Sequence, residues 1–262
     1  MTAESKHDHV AKIYDEIRPS YPIELVNEVV KDLTKDNSTS MLEIGAGTGK
    51  ATEYFAKTGH GIDCVELGEN LANILIQKCR PYSNVDVFVE AFETWEAREG
   101  KLYDLIYSAQ AFHWIDPNIK YSKCHSLLKP HGKLGLFWYQ PVPIENQLTK
   151  SIRKTITAYC PTYYTDEESN ELIEETILRR KNELIESDLF INIEHHEFLV
   201  ENTLSISDYI SALNSFSKFA SLEKVTRSKI VNDLEDLFIQ LNCKTIPSNL
   251  KYYLFLGDKK TI

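Results

Sequence analysis

The stretch Met41–Gly49, MLEIGAGTG, constrains this chain more than any other. The apolar run at Met41, Leu42 and Ile44 predicts a buried strand. It stops at Gly45-Ala46-Gly47-Thr48-Gly49, and a helical pattern follows over Lys50–Lys57. Glycines between a strand and a helix let the backbone approach a ligand closely. They also aim the first helical N–H groups at that ligand. The stretch therefore predicts a βα turn that holds a nucleotide-like molecule.

The glycines follow G-x-G-x-G, which is not the dinucleotide spacing G-x-G-x-x-G. Glu43, two positions ahead of Gly45, says more. A carboxylate near the end of a core strand is costly unless a cation or donors meet it. The ammonium of a methionine-type cofactor would meet it, and the pyrophosphate of NAD would not. The other reading is that Glu43 caps a backbone N–H or pairs with a lysine.

Further along, strands are predicted at Ile62–Glu66, Val85–Val89, Asp104–Ser108, Lys133–Tyr139, Ile191–Val200, which alternates, and Asn249–Leu256. Helical spacing covers 10–17, 23–33, 69–78 and a helix opened by Asp116-Pro117 and running to Leu128. Glu66 lies 21 positions after Gly45, the usual distance to an acid that binds two ribose hydroxyls. Beyond Gln140 the pattern turns helical and charged, with a break at Pro161–Thr165. So long a stretch without structure is improbable in a compact domain. It reads as a helical cap at 144–188, with parts of 205–240, on a main domain of 1–143 and 189–262.

Charge and cysteine usage narrow the class. The formal net charge of −10, with no basic stripe, argues against a nucleic-acid partner. The five cysteines are odd in number and lack C-x-x-C spacing, which indicates neither a zinc site nor a disulfide framework. The start, MTAESKHDH, is polar, and no run is long enough to span a bilayer. The expectation is a cytoplasmic protein with no membrane partner.

The run Leu42-Glu43-Ile44-Gly45-Ala46-Gly47-Thr48-Gly49 resembles motif I of the class I S-adenosylmethionine-dependent methyltransferases. Tyr14-Asp15-x-x-Arg18-Pro19-x-Tyr21-Pro22 is similar to the opening signature of their small-molecule branch, the type 11, trans-aconitate methyltransferase-like group. Val65-Glu66, Tyr103–Trp114 and Leu127-Leu128-Lys129-Pro130-x-Gly132 resemble later motifs in the family's order. The resemblance implies an α/β, Rossmann-like, doubly wound, seven-stranded and mostly parallel sheet with a reversed last hairpin. It implies S-adenosyl-L-methionine as cofactor. Its contacts would be Tyr14, Arg18, Glu43, Gly45, Ala46, Gly47, Thr48, Gly49, Glu66, Leu67, Ala91, Phe92, Ala109 and Gln110. Many relatives place an acid at the position of Ala91 to bond the adenine amino group. Glu93 or a backbone carbonyl would have to serve here, and Phe92 is either an adenine contact or core.

Methyl transfer from a sulfonium needs alignment and exclusion of water more than proton transfer. A base is required only when the acceptor holds a proton. His113 is the candidate base, having a neutral-range pKa by nature; alternatively it and Trp114 only shape the pocket wall. Arg18 would pair with the cofactor's carboxylate, with an acidic acceptor, or in a surface salt bridge. The adjacent pair His195-His196 would face opposite ways on a strand. With Gln110 in place of a cluster of acids, no metal is expected. The sequence features of adenine-N6, cytosine-N4, cytosine-C5 and protein arginine methyltransferases are absent. A small-molecule acceptor, such as a carboxylic acid, is expected. The rival readings are an NAD-dependent oxidoreductase and a cofactor-binding module without transfer activity.

Overall fold

The computed structural model of the chain describes residue 8 and residues 11–34, 39–142, 144–164, 170–215 and 217–261. Among them the first elements are α1 (Ala11–Ile17), α2 (Ile23–Val30), β1 (Ser40–Ile44), α3 (Thr52–Ala56), β2 (Gly61–Glu66), α4 (Glu69–Cys79) and β3 (Val85–Val89). Then come β4 (Tyr103–Ala109), α5 (Lys120–Leu127), β5 (Leu128–Pro141), α6 (Gln147–Tyr159), α7 (Asn170–Glu186) and β6 (Phe190–Val200). The last are β7 (Thr203–Ser205), α8 (Ile206–Ser215), α9 (Ser217–Ala220), α10 (Lys224–Gln240), β8 (Thr245–Pro247) and β9 (Leu250–Lys259). None of the described helices is long and apolar enough to cross a membrane.

Seven strands form one sheet in the order β3-β2-β1-β4-β5-β9-β6. It is mostly parallel, with one antiparallel hairpin at its end. β1 lies between β2 and β4 and runs parallel to both, with Glu43 opposite Cys64 on one side and Tyr107 on the other. A parallel strand covered on both faces is apolar almost throughout, which is why Met41, Leu42 and Ile44 are fully buried. The chain leaves β1 toward β2 and β3, then returns to lay β4 on the opposite side. Ligands of open α/β sheets sit at this reversal, beyond the strands' carboxyl ends.

The chain divides into two units. The first comprises Met1–Tyr139, Arg179–Phe198 and Tyr252–Ile262 and holds most of the sheet. Leu25, Val26 and Val29 of α2, Phe55 of α3 and Leu71 and Leu75 of α4 are buried there. Asp8 accepts from the backbone N–H groups of Asn70 and Leu71 at 2.8 and 3.1 Å. It thereby satisfies donors at the start of α4, which has no side-chain cap of its own.

The second unit comprises Gln140–Leu178 and Leu199–Lys251. Ile152 and Ile156 of α6, Leu213 of α8 and Ile230, Leu234 and Phe238 of α10 form its core. A reciprocal capping box of Asn146 and Thr149 starts α6. The short antiparallel pair β7–β8 also belongs to it. Of the expected break after Pro161, residue 165 lies outside the described residues, as do 166–169.

Of the boundaries that differ from expectation, two flank the approach to β5. α5 begins at Lys120, because Asp116 first closes a turn by accepting from the N–H groups of Ile119 and Lys120. β5 begins at Leu128, which pairs with Tyr103, and not at Lys133. The intervening Lys129–Gly132, whose residues look like a turn, form an irregularity within the strand. His131 takes a left-handed φ of 68°, and a Cβ at Gly132 would lie 3.0 Å from the Tyr103 carbonyl oxygen.

Candidate functional site

β1 carries Glu43 into the sheet with 1% of its surface exposed. Its Oε2 accepts from the Thr52 hydroxyl at 2.6 Å, the Tyr107 hydroxyl at 3.0 Å and the Cys64 thiol at 3.8 Å. The donors are side-chain hydroxyls and a thiol, and neither the lysine nor the backbone N–H foreseen from sequence is among them. Its other oxygen, Oε1, is buried and has no hydrogen-bond partner. Burial pushes the carboxyl up to about 7, against the pull of the three donors.

The turn after β1 is fastened to β2 by the Gly45 N–H, which donates to the Val65 carbonyl at 2.8 Å. Gly45 and Gly47 both have left-handed φ angles, 68° and 58°. They differ in their surroundings. A Cβ on Gly45 would lie 2.3 Å from the Ala111 Cβ, whereas one on Gly47 would meet nothing within 4 Å. Gly45 is thus required by packing, and Gly47 faces open space. Glu66, at the end of β2, accepts from the Gly47 N–H at 2.8 Å and the Gly68 N–H at 2.7 Å. Burial raises its pKa, and these two bonds oppose the rise.

A cleft gathers Arg18, Glu43, Gly45, Ala46, Gly47, Thr48 and Ala109 from the predicted set, together with Lys50, Ala51, Pro19, Tyr21 and Tyr139. Arg18 Nη1 donates to the Tyr139 hydroxyl at 3.4 Å. Burial raises the Tyr139 pKa, and Arg18 moderates the rise. Desolvation lowers the Lys50 pKa.

The remaining predicted residues lie around this cleft or apart from it. Gly49 packs against Leu75 of α4. Leu67 follows Glu66 and is half-buried. Gln110, at a left-handed φ of 60°, donates from Nε2 to the Tyr139 carbonyl at 3.0 Å. The Ala91 carbonyl accepts from the Trp95 N–H, and Glu93 Oε1 accepts from the Asp116 N–H. Phe92 is buried beneath the Lys123 ammonium, 5.0 Å from its ring centroid. The side chain of Tyr14 lies outside the described residues. His113 sits in a short 3-10 helix, Phe112–Trp114, beyond β4. Its Nδ1 accepts from the Trp138 indole at 3.1 Å.

Sequence reasoning missed Thr52 and Tyr107 as the partners of Glu43, and Lys50 and Ala51 as cleft residues. The spacing from Glu43 to Thr52 spans the turn, and only the fold closes it. His195 and His196 part as expected on a strand. His195 stacks near Phe255 and Tyr253, while His196 approaches Glu28 and Glu194. That last trio is close enough to hold a metal ion. However, the Lys31 ammonium already bonds Glu28 at 2.7 Å and Glu194 at 3.0 Å.

Residues 41–132 match the family model described as a methyltransferase domain. An uncharacterized methyltransferase-like protein of Schizosaccharomyces pombe is 26% identical over 238 residues, which cover 89% of this chain and 84% of that one. The chain carries a methyltransferase domain. The structure of a protein assigned as a type II methyltransferase from Anaeromyxobacter dehalogenans superposes on this methyltransferase with a TM-score of 0.68. The identity is 16%, and 93% of this chain and 97% of that one are covered. Phosphoethanolamine N-methyltransferase 2 of Haemonchus contortus, solved with S-adenosyl-L-methionine, gives a TM-score of 0.52 at 17% identity. It covers 97% of this chain and 57% of its own.

The residues present fit S-adenosylmethionine as the cofactor of this methyltransferase domain. The buried Glu43 Oε1 lacks a donor, which a ligand ammonium would supply, and the open space at Gly47 admits a close approach to the turn. The NAD-dependent oxidoreductase reading is not favoured.

Proposed function

We propose that this methyltransferase acts on a small, acidic molecule in a reducing compartment such as the cytoplasm, where its buried free thiols persist. One observation carries the reading of the cofactor end: Glu43 and Arg18 line the same cleft as the glycine turn. An amino acid tail has one positive and one negative group. Glu43 suits the ammonium, and Arg18 suits the carboxylate because its N–H groups can bind it as a pair. Glu66 would exchange its bond to the Gly47 N–H for the ribose hydroxyls, since a carboxylate accepts two bonds at once.

The cofactor supplies an activated methyl group. The chain's own residues bind, orient and exclude water. Ala109 and Gln110 end β4 at the sheet's carboxyl edge, where an acceptor would meet the donor in line. An ionised acid needs no proton removed, so no base is required for it. The net charge of −10 supports a small acceptor over a polyanionic one.

Isothermal titration with S-adenosylhomocysteine tests the cofactor site. Binding to the wild type is expected, with at least a tenfold loss in Glu66→Ala; equal affinities would remove the ribose role. Product analysis with labelled S-adenosylmethionine and a panel of acids, phenols and amines tests the acceptor. Methyl transfer to phenols or amines alone would overturn the acidic reading.

A further inference from the structure

Arg180, on α7, lies over the ring of Trp138, with its guanidinium carbon 4.5 Å from the ring centroid. Trp138 is near the carboxyl end of β5 and is 1% exposed. Stacking on an indole holds the cation by one face. The N–H donors lie in the guanidinium plane and remain directed outward from the stack. Nη1 is buried and has no hydrogen-bond partner. Burial lowers the Arg180 pKa to about 10. The like charge of Arg179 adds to the drop, and Glu183 opposes it.

Glu183 does not neutralise this cation directly. Its Oε2 accepts from the Lys120 ammonium at 2.8 Å, and Lys120 is almost wholly buried. Arg180 thus keeps a desolvated charge and an unmet donor, an arrangement that an incoming anion relieves. Its surroundings suit a ligand. Trp138 also donates to His113 Nδ1, so the neutral imidazole carries its proton on Nε2. The His113 ring lies 4.5 Å from that of Trp114, an indole with 55% of its surface exposed. Arg180 and His113 thus both contact Trp138, and the exposed ring of Trp114 adjoins His113.

We propose that Arg180, stacked on Trp138, anchors a carboxylate of the methyl acceptor, with Trp114 covering the acceptor's apolar part. This assignment rests on the acidic-acceptor reading above and names the residue that selects for it. It leaves Arg18 to the cofactor. A carboxylate fits better than a phosphate, because a single planar guanidinium matches it edge to edge. The neighbouring ammonium of Lys120 is already engaged by Glu183.

The test is calorimetric titration of the protein saturated with S-adenosylhomocysteine, using succinate, citrate, phenylacetate and inorganic phosphate as probes. At least one carboxylate is expected to bind the wild type. Arg180→Met, which keeps an apolar cover on Trp138, is expected to weaken that binding at least tenfold while S-adenosylhomocysteine affinity holds. Arg180→Lys guards against a folding defect in the Met variant and is expected to weaken binding too, since an ammonium cannot bind a carboxylate in two parallel bonds. Absence of carboxylate binding by the wild type, or unchanged binding in both variants, would overturn the proposal. Tighter binding of phosphate than of every carboxylate would do the same. Failure of S-adenosylhomocysteine to bind would strike the cofactor reading alone. The same carboxylate titrations on the protein without it would still decide the role of Arg180.

Discussion

Glu43 and Tyr107 face each other across β1 and β4, and the Tyr107 hydroxyl donates to the Glu43 carboxylate at 3.0 Å. The pair is fully buried, and Tyr107 is held in place by Phe55, whose ring stacks 4.1 Å away. Burial raises the folded-state pKa of Glu43 from the usual 4.5 to about 7. An acid whose folded pKa lies above its unfolded value binds more protons when folded. Stability therefore falls as pH rises from about 4.5 to about 7, and is flat in this respect outside that window. The size is ~3 kcal/mol. Urea denaturation at several pH values should show wild type losing stability relative to Glu43→Gln across this window. A constant difference between the two proteins would refute the assignment.

The same carboxylate should make cofactor binding pH-dependent. A ligand ammonium near Glu43 favours its ionised form, so binding and proton release are linked. With an apo pKa near 7, affinity for S-adenosylhomocysteine should rise roughly tenfold between pH 6 and pH 8. Glu43→Gln should bind more weakly and with a flat profile. Titration calorimetry at both pH values checks this, and a flat wild-type profile would mean that the ammonium lies elsewhere.

Where neighbours in sequence carried the information, the residues were enough. Strands β1 to β4 follow from apolar runs that a doubly covered parallel sheet requires. The turn at Gly45 follows from its place between strand and helix, but its packing against Ala111 does not. The start of β5 was not legible, since Lys129-Pro130-His131-Gly132 has turn composition and only pairing with Tyr103 reveals a strand. Thr52 and Tyr107 escaped notice as partners of Glu43 for a related reason. Each reaches it through the fold, and Thr and Tyr are unremarkable in a helix or a strand. Arg180 gave no signal, because its meaning lies in stacking on Trp138, 42 positions away in sequence.

Gly45 and Gly47 should respond differently to the same substitution. Alanine at either position must adopt a left-handed φ, which costs about 1–2 kcal/mol. At Gly45 the new methyl would also collide with Ala111, adding about 1–3 kcal/mol of overpacking. At Gly47 it would enter open space. Gly45→Ala should therefore lower the melting temperature well beyond Gly47→Ala. Gly47→Ala should stay folded and lose S-adenosylhomocysteine affinity, because its methyl occupies the ligand's side of the turn. Thermal melts with and without S-adenosylhomocysteine separate the two effects. Equal apo melting temperatures would contradict the packing argument.

The bond from Trp138 to His113 decides what His113 can do. An indole N–H only donates, so Nδ1 of His113 must be unprotonated while the bond lasts. A neutral ring then carries its proton on Nε2, which can donate to an acceptor molecule but has no lone pair with which to remove a proton from it. Loss of a general base costs typically 10²–10⁴-fold in rate. Loss of one neutral hydrogen bond costs about 1 kcal/mol, which is less than tenfold. Once a turned-over acid is in hand, His113→Asn should lower kcat less than tenfold, chiefly raise KM, and leave the pH profile without a lost limb near neutrality. A drop in kcat beyond a hundredfold in His113→Asn, together with loss of a basic limb, would show that His113 takes a proton after all.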